Sequence, residues 1–317
     1  MNRIDVHQHL LPRVYLDALD ALGTDGPDGV SWSSSVLPSW SPQGALAMMD
    51  THSIGTGVLS LSAPGTHFGD DAAARELVTR VNDLHAELVK DRPDRFGMFA
   101  AVPLPDVDGA LDAIAHADDD LHADGVVLLA NHRGTYLGDP AFEPVFAELD
   151  RRRLVVFIHP AELPGPGVPG LTAALADFLL DTTRAALNLV LHRVPERYPN
   201  LTMILSHAGG FVPYAADRFT ELASSSPLFA SGLSEDEVRE GLRGFHFDTA
   251  LSAGPSALPS LLSFAKPGHV HFGSDFPYVD DSGVGRFAGK LEAYNTDPAT
   301  RASIDRTGAE TLFPRLA

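Results

Sequence analysis

Two kinds of apolar pattern take turns along this chain. Short, nearly continuous apolar runs occupy positions 4–9, 57–62, 96–102, 125–130, 154–160, 201–206, 245–249 and 269–273. Longer stretches between them carry apolar residues at the three-to-four spacing of an amphipathic helix, notably 42–52, 70–91, 108–121, 140–152 and one reaching about 194. Runs this apolar are expected to be strands buried on both faces, which is the condition of a parallel sheet sandwiched by helices. Eight such strands alternating with helices predict an α/β protein of the (β/α)8 TIM barrel type, a single domain over 1–317. Ser41-Pro42 reads as an N-cap followed by proline in the first helical turn. The segment 10–40, with Gly23, Gly26, Gly29 and serines at 33–35, is expected to be a long loop after the first strand. Its Trp32 and Trp40 suggest a lid or pocket wall, because long loops in compact domains tend to be functional. The segment 279–317 is expected to form C-terminal helices packed outside the barrel.

Composition narrows the partners. The chain has 317 residues, 44% of them hydrophobic, and a mean hydropathy near zero, as expected of a soluble protein with a large core. No apolar run approaches the roughly 18 residues of a membrane span, and positions 1–10 lack the order of a signal peptide. With the first strand starting almost at Met1, no cleaved leader is expected. The absence of cysteine excludes thiolate ligands and disulfides, and a cytoplasmic location is expected. A net charge of −19 argues against nucleic acid and anionic membranes as partners. A small molecule and a second copy of the chain remain.

The chemistry collects at strand ends. On a regular strand Asp5, His7 and His9 share one face, so two imidazoles two residues apart can converge on one ion. His159, His207 and Asp275 each end a separate apolar run, and in a barrel all these ends meet around one mouth. Three neutral imidazoles and one carboxylate, with a position left for water or substrate, suit a catalytic divalent metal such as zinc.

In order, the motifs are Asp-x-His-x-His at 5–9, His-Pro at 159–160, Ser-His-Ala-Gly-Gly at 206–210 and Gly-Ser-Asp-Phe-Pro at 273–277. This combination resembles the amidohydrolase superfamily over essentially the whole chain, and within it the branch typified by α-amino-β-carboxymuconate-ε-semialdehyde decarboxylase. The resemblance implies a metal held by His7, His9, His159 and Asp275, with His207 catalytic. It implies one ion, because two-metal members use a carboxylated lysine after strand four, and the lysines here are Lys90, Lys266 and Lys290. Zinc is the first expectation, with manganese or another transition metal as alternatives. Stretches such as 62–65, 95–100, 137–140 and 181–184 look closest to decarboxylases of small hydroxylated aromatic acids, the 6-methylsalicylate decarboxylases among them. In the branch, an arginine eleven residues after the strand-six histidine reaches the neighbouring subunit's site and binds a substrate carboxylate. Arg218 stands at that spacing, which implies a homodimer. The branch's other carboxylate-binding arginine has no counterpart, since no Lys or Arg occurs from 14 to 74. That departure favours a monocarboxylate with an apolar ring, and Trp32, Trp40, Phe68, Phe211 and Phe276 are the expected pocket walls.

The implied reaction is metal-dependent, non-oxidative decarboxylation of a small hydroxylated aromatic or related unsaturated carboxylic acid. Protonating the ring at the carboxylate-bearing carbon lowers the barrier, with Asp275, or an acid reached through it, as donor and His207 stabilising charge or relaying protons. Asp5 is expected either to orient a ligand histidine or to serve the barrel's structure. Hydrolysis of an ester, lactone or amide by metal-activated water uses the same fold and ligands and is the alternative. An inactive metal-binding scaffold is the third reading, and the intact set of site residues speaks against it.

Overall fold

Strand β1 (Arg3–His9) begins a barrel that the chain completes in sequence order. It is followed by β2 (Ile54–Ser60), β3 (Phe96–Ala100), β4 (Gly125–Leu129), β5 (Val155–His159), β6 (Thr202–Leu205), β7 (His246–Asp248) and β8 (Val270–His271). Each pairs in parallel with the next in a single eight-stranded order. Backbone bonds from Val6 N to Phe272 O, His9 N to Phe276 O and Asp275 N to His7 O bring the last strand back to the first. The computed structural model describes residues 3–22, 34–225 and 232–317. Among these, no helix is long and apolar enough to cross a membrane.

Alternation along the strands sorts the apolar residues into two cores. Met98, Ala100, Val126, Leu128, Val156 and Ile158 face the helices. Val58, Phe99, Val127, Val155, Phe157 and Ile204 form a second cluster inside the barrel, with Ile4 and Val6. Parity therefore puts His159, two residues beyond Phe157, on the interior face at the C-terminal end.

The helices follow the local signals closely. Ser41 caps α2 (Pro42–Thr51), its side chain accepting from Gly44 N. Asp70 caps α3 (Asp71–Asp91) and Asp106 caps α4 (Val107–Asp119) in the same way. Beyond β4 the chain adds a small antiparallel hairpin, Asn131–His132 with Thr135–Tyr136, before α5 (Glu143–Arg152). After β5 comes α6 (Asp177–Leu191), then α7 (Val194–Arg197), and β6 is followed by α8 (Val212–Ser225) and α9 (Glu235–Arg243).

Two expectations change. The segment 10–40 is not all loop: α1 (Arg13–Leu22) forms its first part and buries Tyr15 and Leu19, one turn apart on one face. The C-terminal segment does not simply lie outside the barrel either. Ala309, Phe313 and Leu316 join the interior cluster, so the chain's end fills the barrel at the face away from the histidines.

Candidate metal centre and substrate cavity

His7 and His9 come from the end of β1, where the strand is irregular. Its parallel register against β2 slips between Asp5 and Gln8. An even strand would put Asp5 and Gln8 on opposite faces, yet the Gln8 amide donates to Asp5 at 2.9 Å. The slip separates Asp5 from the histidines with which the sequence pattern grouped it. Instead the buried Asp5 carboxylate accepts from His7 N and Ser274 N, both at 3.0 Å, and ties the end of β1 to the loop that carries Asp275. Burial pushes its carboxyl up to about 6, against the hydrogen bonds it accepts.

Donor atoms of His7, His9, His159 and Asp275 all lie within 4.8 Å of one another, and all four residues are buried. Hydrogen bonds on the far side of each ring decide which nitrogen faces inward. His7 Nδ1 meets Asp248 Oδ2 at 2.7 Å, His9 Nδ1 meets the Ser60 carbonyl at 3.3 Å, and His159 Nδ1 meets the Pro160 carbonyl at 2.8 Å. A carboxylate or carbonyl oxygen can only accept, so each Nδ1 carries the proton and each Nε2 offers a lone pair. His7 Nε2 and His9 Nε2 face each other at 3.1 Å, and both approach Asp275 Oδ1, at 3.3 and 3.1 Å. Inward lone pairs and a carboxylate with no hydrogen to share are the donor set of a divalent cation, so the residues fit the ion that the sequence motif implies. The described residues support a single such site.

On the protein's own charges, burial opposes a second proton on His7, but Asp248 and Asp275 outweigh it and raise its pKa to about 10; a cation held here would take the place of that proton on Nε2. Burial opposes the Asp275 charge as well, yet His7, His207 and His9 hold its carboxyl well below the usual range. His159 is driven well below the ordinary imidazole value by burial and by the neighbouring histidines, and is neutral as a ligand must be.

His207 follows β6 and is buried beside this group, its Nε2 3.3 Å from Asp275 Oδ2 and its backbone N–H 2.9 Å from Asp248 Oδ1. Asp275 thus turns one oxygen to the inward imidazoles and the other to His207. His207 and Asp275 have φ of 52° and 62°, in the left-handed region that non-glycine residues rarely occupy. Such conformations persist where surrounding bonds over-determine them, and they concentrate at functional sites. Asp248 had no place in the sequence pattern, although a buried acid closing the seventh apolar run was a usable signal.

A cavity of about 980 Å³ opens at the strand ends, lined by residues that follow β2, β4 and β5 and not by the five residues of the centre themselves. Leu61, Val127 and Leu129 form part of its wall at the strand ends, and Phe68 lines it as expected. Tyr278 connects centre and cavity: its ring sits edge-on to His9 at 5.2 Å, and its hydroxyl is 2.7 Å from that of Ser62 on the wall. The other expected walls lie elsewhere. Trp40 is partly buried against the outer core. Phe276 also packs on that core, and Phe211 is exposed on the surface. Trp40 and Phe276 thus serve that packing and do not line the cavity. Trp32 falls outside the described residues. Arg218 is exposed on α8 and does not border the cavity of its own chain.

Comparison with known proteins agrees with this fold. The chain is 38% identical over 322 residues to the 6-methylsalicylic acid decarboxylase of Penicillium expansum, covering 100% of this chain and 97% of that protein. A solved amidohydrolase II structure is 33% identical with a TM-score of 0.89, covering 99% of this chain and 100% of that one. A 5-carboxyvanillate decarboxylase of Novosphingobium aromaticivorans, solved with manganese and 4-hydroxy-3-methoxy-5-nitrobenzoic acid, has a TM-score of 0.88 over 99% of this chain and 96% of that one. At 23% identity that likeness is one of fold. The amidohydrolase family model matches residues 4–315, and the chain belongs to that family.

Proposed function

We propose that this protein is a metal-dependent, non-oxidative decarboxylase, a carboxy-lyase acting on small hydroxylated aromatic carboxylic acids. The observation that carries the reading is the shared Asp275: one carboxylate oxygen joins the inward imidazole nitrogens while the other faces His207, all beside a cavity large enough for an aromatic ring. A relative that matches the whole chain is named for decarboxylating 6-methylsalicylate, and the proposed substrate is an acid of that kind.

His7, His9, His159 and Asp275 would hold one divalent ion, zinc or manganese. Manganese is the ion named in the fold neighbour, and the nitrogen and oxygen donors accept either. Such an ion, when bound, supplies a fixed positive charge that orients the substrate's carboxylate and adjacent phenol oxygen. The chain's own residues supply the proton. Because the Asp275 oxygen can only accept, His207 Nε2 carries the hydrogen between them. His207 passes this proton through Asp275 Oδ2 to the ring carbon that bears the carboxylate. The carbon–carbon bond then breaks, its electron pair returns to the ring, and carbon dioxide leaves. Leu61, Val127 and Leu129 keep that part of the cavity apolar, which strengthens every charge interaction inside it.

The single barrel over 1–317 acts as a homodimer in this reading, with the exposed Arg218 on α8 of one copy reaching the partner's cavity. Its exposure and its absence from the lining of its own cavity support that role. A cytoplasmic location goes with the cysteine-free, acidic sequence.

The test uses metal-reconstituted protein and a panel of hydroxybenzoic acids that includes 6-methylsalicylate, with metal-stripped protein as control. Metal-dependent release of carbon dioxide without oxygen uptake from labelled water is the expected result. Turnover only of esters, lactones or amides, with water incorporated, would establish the hydrolase instead.

A further inference from the structure

The cavity wall carries charge for which the proposed proton transfer has no use. The exposed Arg133 and Arg184 line it together with Glu162 and Asp177, and among the described residues neither arginine forms a close ion pair, although Arg184 lies near enough to Asp181 to favour its charge. Arg133 sits at the tip of the Asn131–His132/Thr135–Tyr136 hairpin with φ 54°, a conformation that costs a bulky residue about 1 kcal/mol or more and needs support from its surroundings. That support is a built network. Asn131 Oδ1 accepts from Gly134 N at 2.9 Å and closes the turn, while Asn131 Nδ2 donates to the Glu162 carbonyl at 3.0 Å and to Asp181 Oδ1 at 2.9 Å. Asp181, fully buried on α6, also accepts from Ala161 N at 2.8 Å. The hairpin is thereby fastened to both the end of β5 and α6, and its tip projects the Arg133 guanidinium across to the loop after β2. A side chain placed on Gly69 there would meet Arg133 Nη1 at 3.5 Å. Arg184 is tethered only loosely to the same hairpin, 3.4 Å from the Tyr136 hydroxyl.

We propose that Arg133, assisted by Arg184, is a specificity-determining residue that binds a second oxygen acceptor on the aromatic substrate, a ring hydroxyl or a further carboxylate away from the one that is lost. The inference rests on the decarboxylase reading. It revises the expectation of an otherwise apolar ring: the arginine missing between the first two strands is replaced by one supplied from the hairpin after β4. An ion held by His7, His9, His159 and Asp275 would position one group of the substrate, and the guanidinium from the hairpin holds another. One anchor at the centre and a second on the cavity wall fix the ring's orientation, which a single chelate leaves free to rotate.

The experiment compares the metal-reconstituted enzyme on salicylate, on the positional isomers of dihydroxybenzoate and on hydroxyisophthalates, in both turnover and direct calorimetric binding. Wild type is expected to favour at least one acid with the extra oxygen over salicylate by about tenfold in kcat/KM and in affinity, the range of a charge-assisted hydrogen bond. Arg133→Gln should abolish that preference and Arg133→Lys should retain part of it. Arg92→Gln, which removes a positive charge from the exposed end of α3, should leave the preference intact. Whether dihydroxy acids or isophthalates gain decides which acceptor the site reads. An absent preference in wild type, or one that survives Arg133→Gln, overturns the inference. If no acid is decarboxylated but the Arg133-dependent gain in affinity remains, the subsite stands and the decarboxylase reading falls.

Discussion

His7 depends on an acid that no local pattern couples to it. Asp248 accepts from His7 Nδ1 and also from the backbone N–H groups of His207 and Ala250, so all of its partners are donors. An amide has only one accepting oxygen, and Asp248→Asn would turn an NH2 group against one of these hydrogens. Metal affinity is expected to fall by about 10–100-fold, as for other supports of a ligand imidazole. Competition against a chelator measures it, and an unchanged affinity would show that Asp248 does not hold the ring. His207 gives the complementary case. His207→Ala should retain metal, because its ring is not needed among the inward donors, yet lose about 100-fold or more in kcat as a proton-transfer group. Full turnover with metal bound would remove it from the mechanism.

Elements bring these side chains together, and their own packing limits them. Gly125 opens β4 against β5, and a Cβ there would stand 2.2 Å from the Val155 carbonyl oxygen. No flexible side chain can yield at that contact. Gly125→Ala is therefore expected to spread the two strands and cost about 1–3 kcal/mol in a urea titration. Since β5 ends in His159, weaker metal binding should accompany the loss, and an unaltered midpoint would contradict the rigid contact. Helix α1 shows where a local signal was present but easily lost. Tyr15 and Leu19 keep helical spacing, but their run is only ten residues long and leads into a stretch rich in glycine and serine. By contrast, the eight strand runs were legible because burial on both faces demands continuous apolar sequence. Strand ends still shift by a few positions: the second run was expected at 57–62 and pairs as Ile54–Ser60, since ladder hydrogen bonds, not hydrophobicity, set the limits.

The whole molecule stores its histidines unevenly. Apart from the centre, burial holds His85, His132 and His271 down at about 3 and His246 at about 2, so all four are neutral in the fold. In the unfolded chain each takes a proton below its ordinary value of 6.5. Their contribution to stability is thus complete above pH 6.5 and is lost as pH falls from 6.5 toward 3. The melting temperature should decline steadily across that window, and a flat profile from pH 7 to 4 would refute this account. His246 and His271 share a hydrogen bond of 2.8 Å in a stack with His269, and among the described residues the other ring nitrogen of His271 is buried without a partner.

From the amino-acid order alone one could read the barrel, its strand order and the convergence of His7, His9, His159, His207 and Asp275, because each apolar run must be buried and parallel strands put their ends at one mouth. The slip in β1 that sends Asp5 toward Gln8 and Ser274 instead of the metal side depended on pairing with β2 and on the closing strand. The support of His7 by Asp248, 241 positions away, depended on ring closure and leaves no periodic trace. The same holds for the cavity walls: an aromatic residue in sequence reports that it will be buried, and the packing of helices on the barrel determines against what.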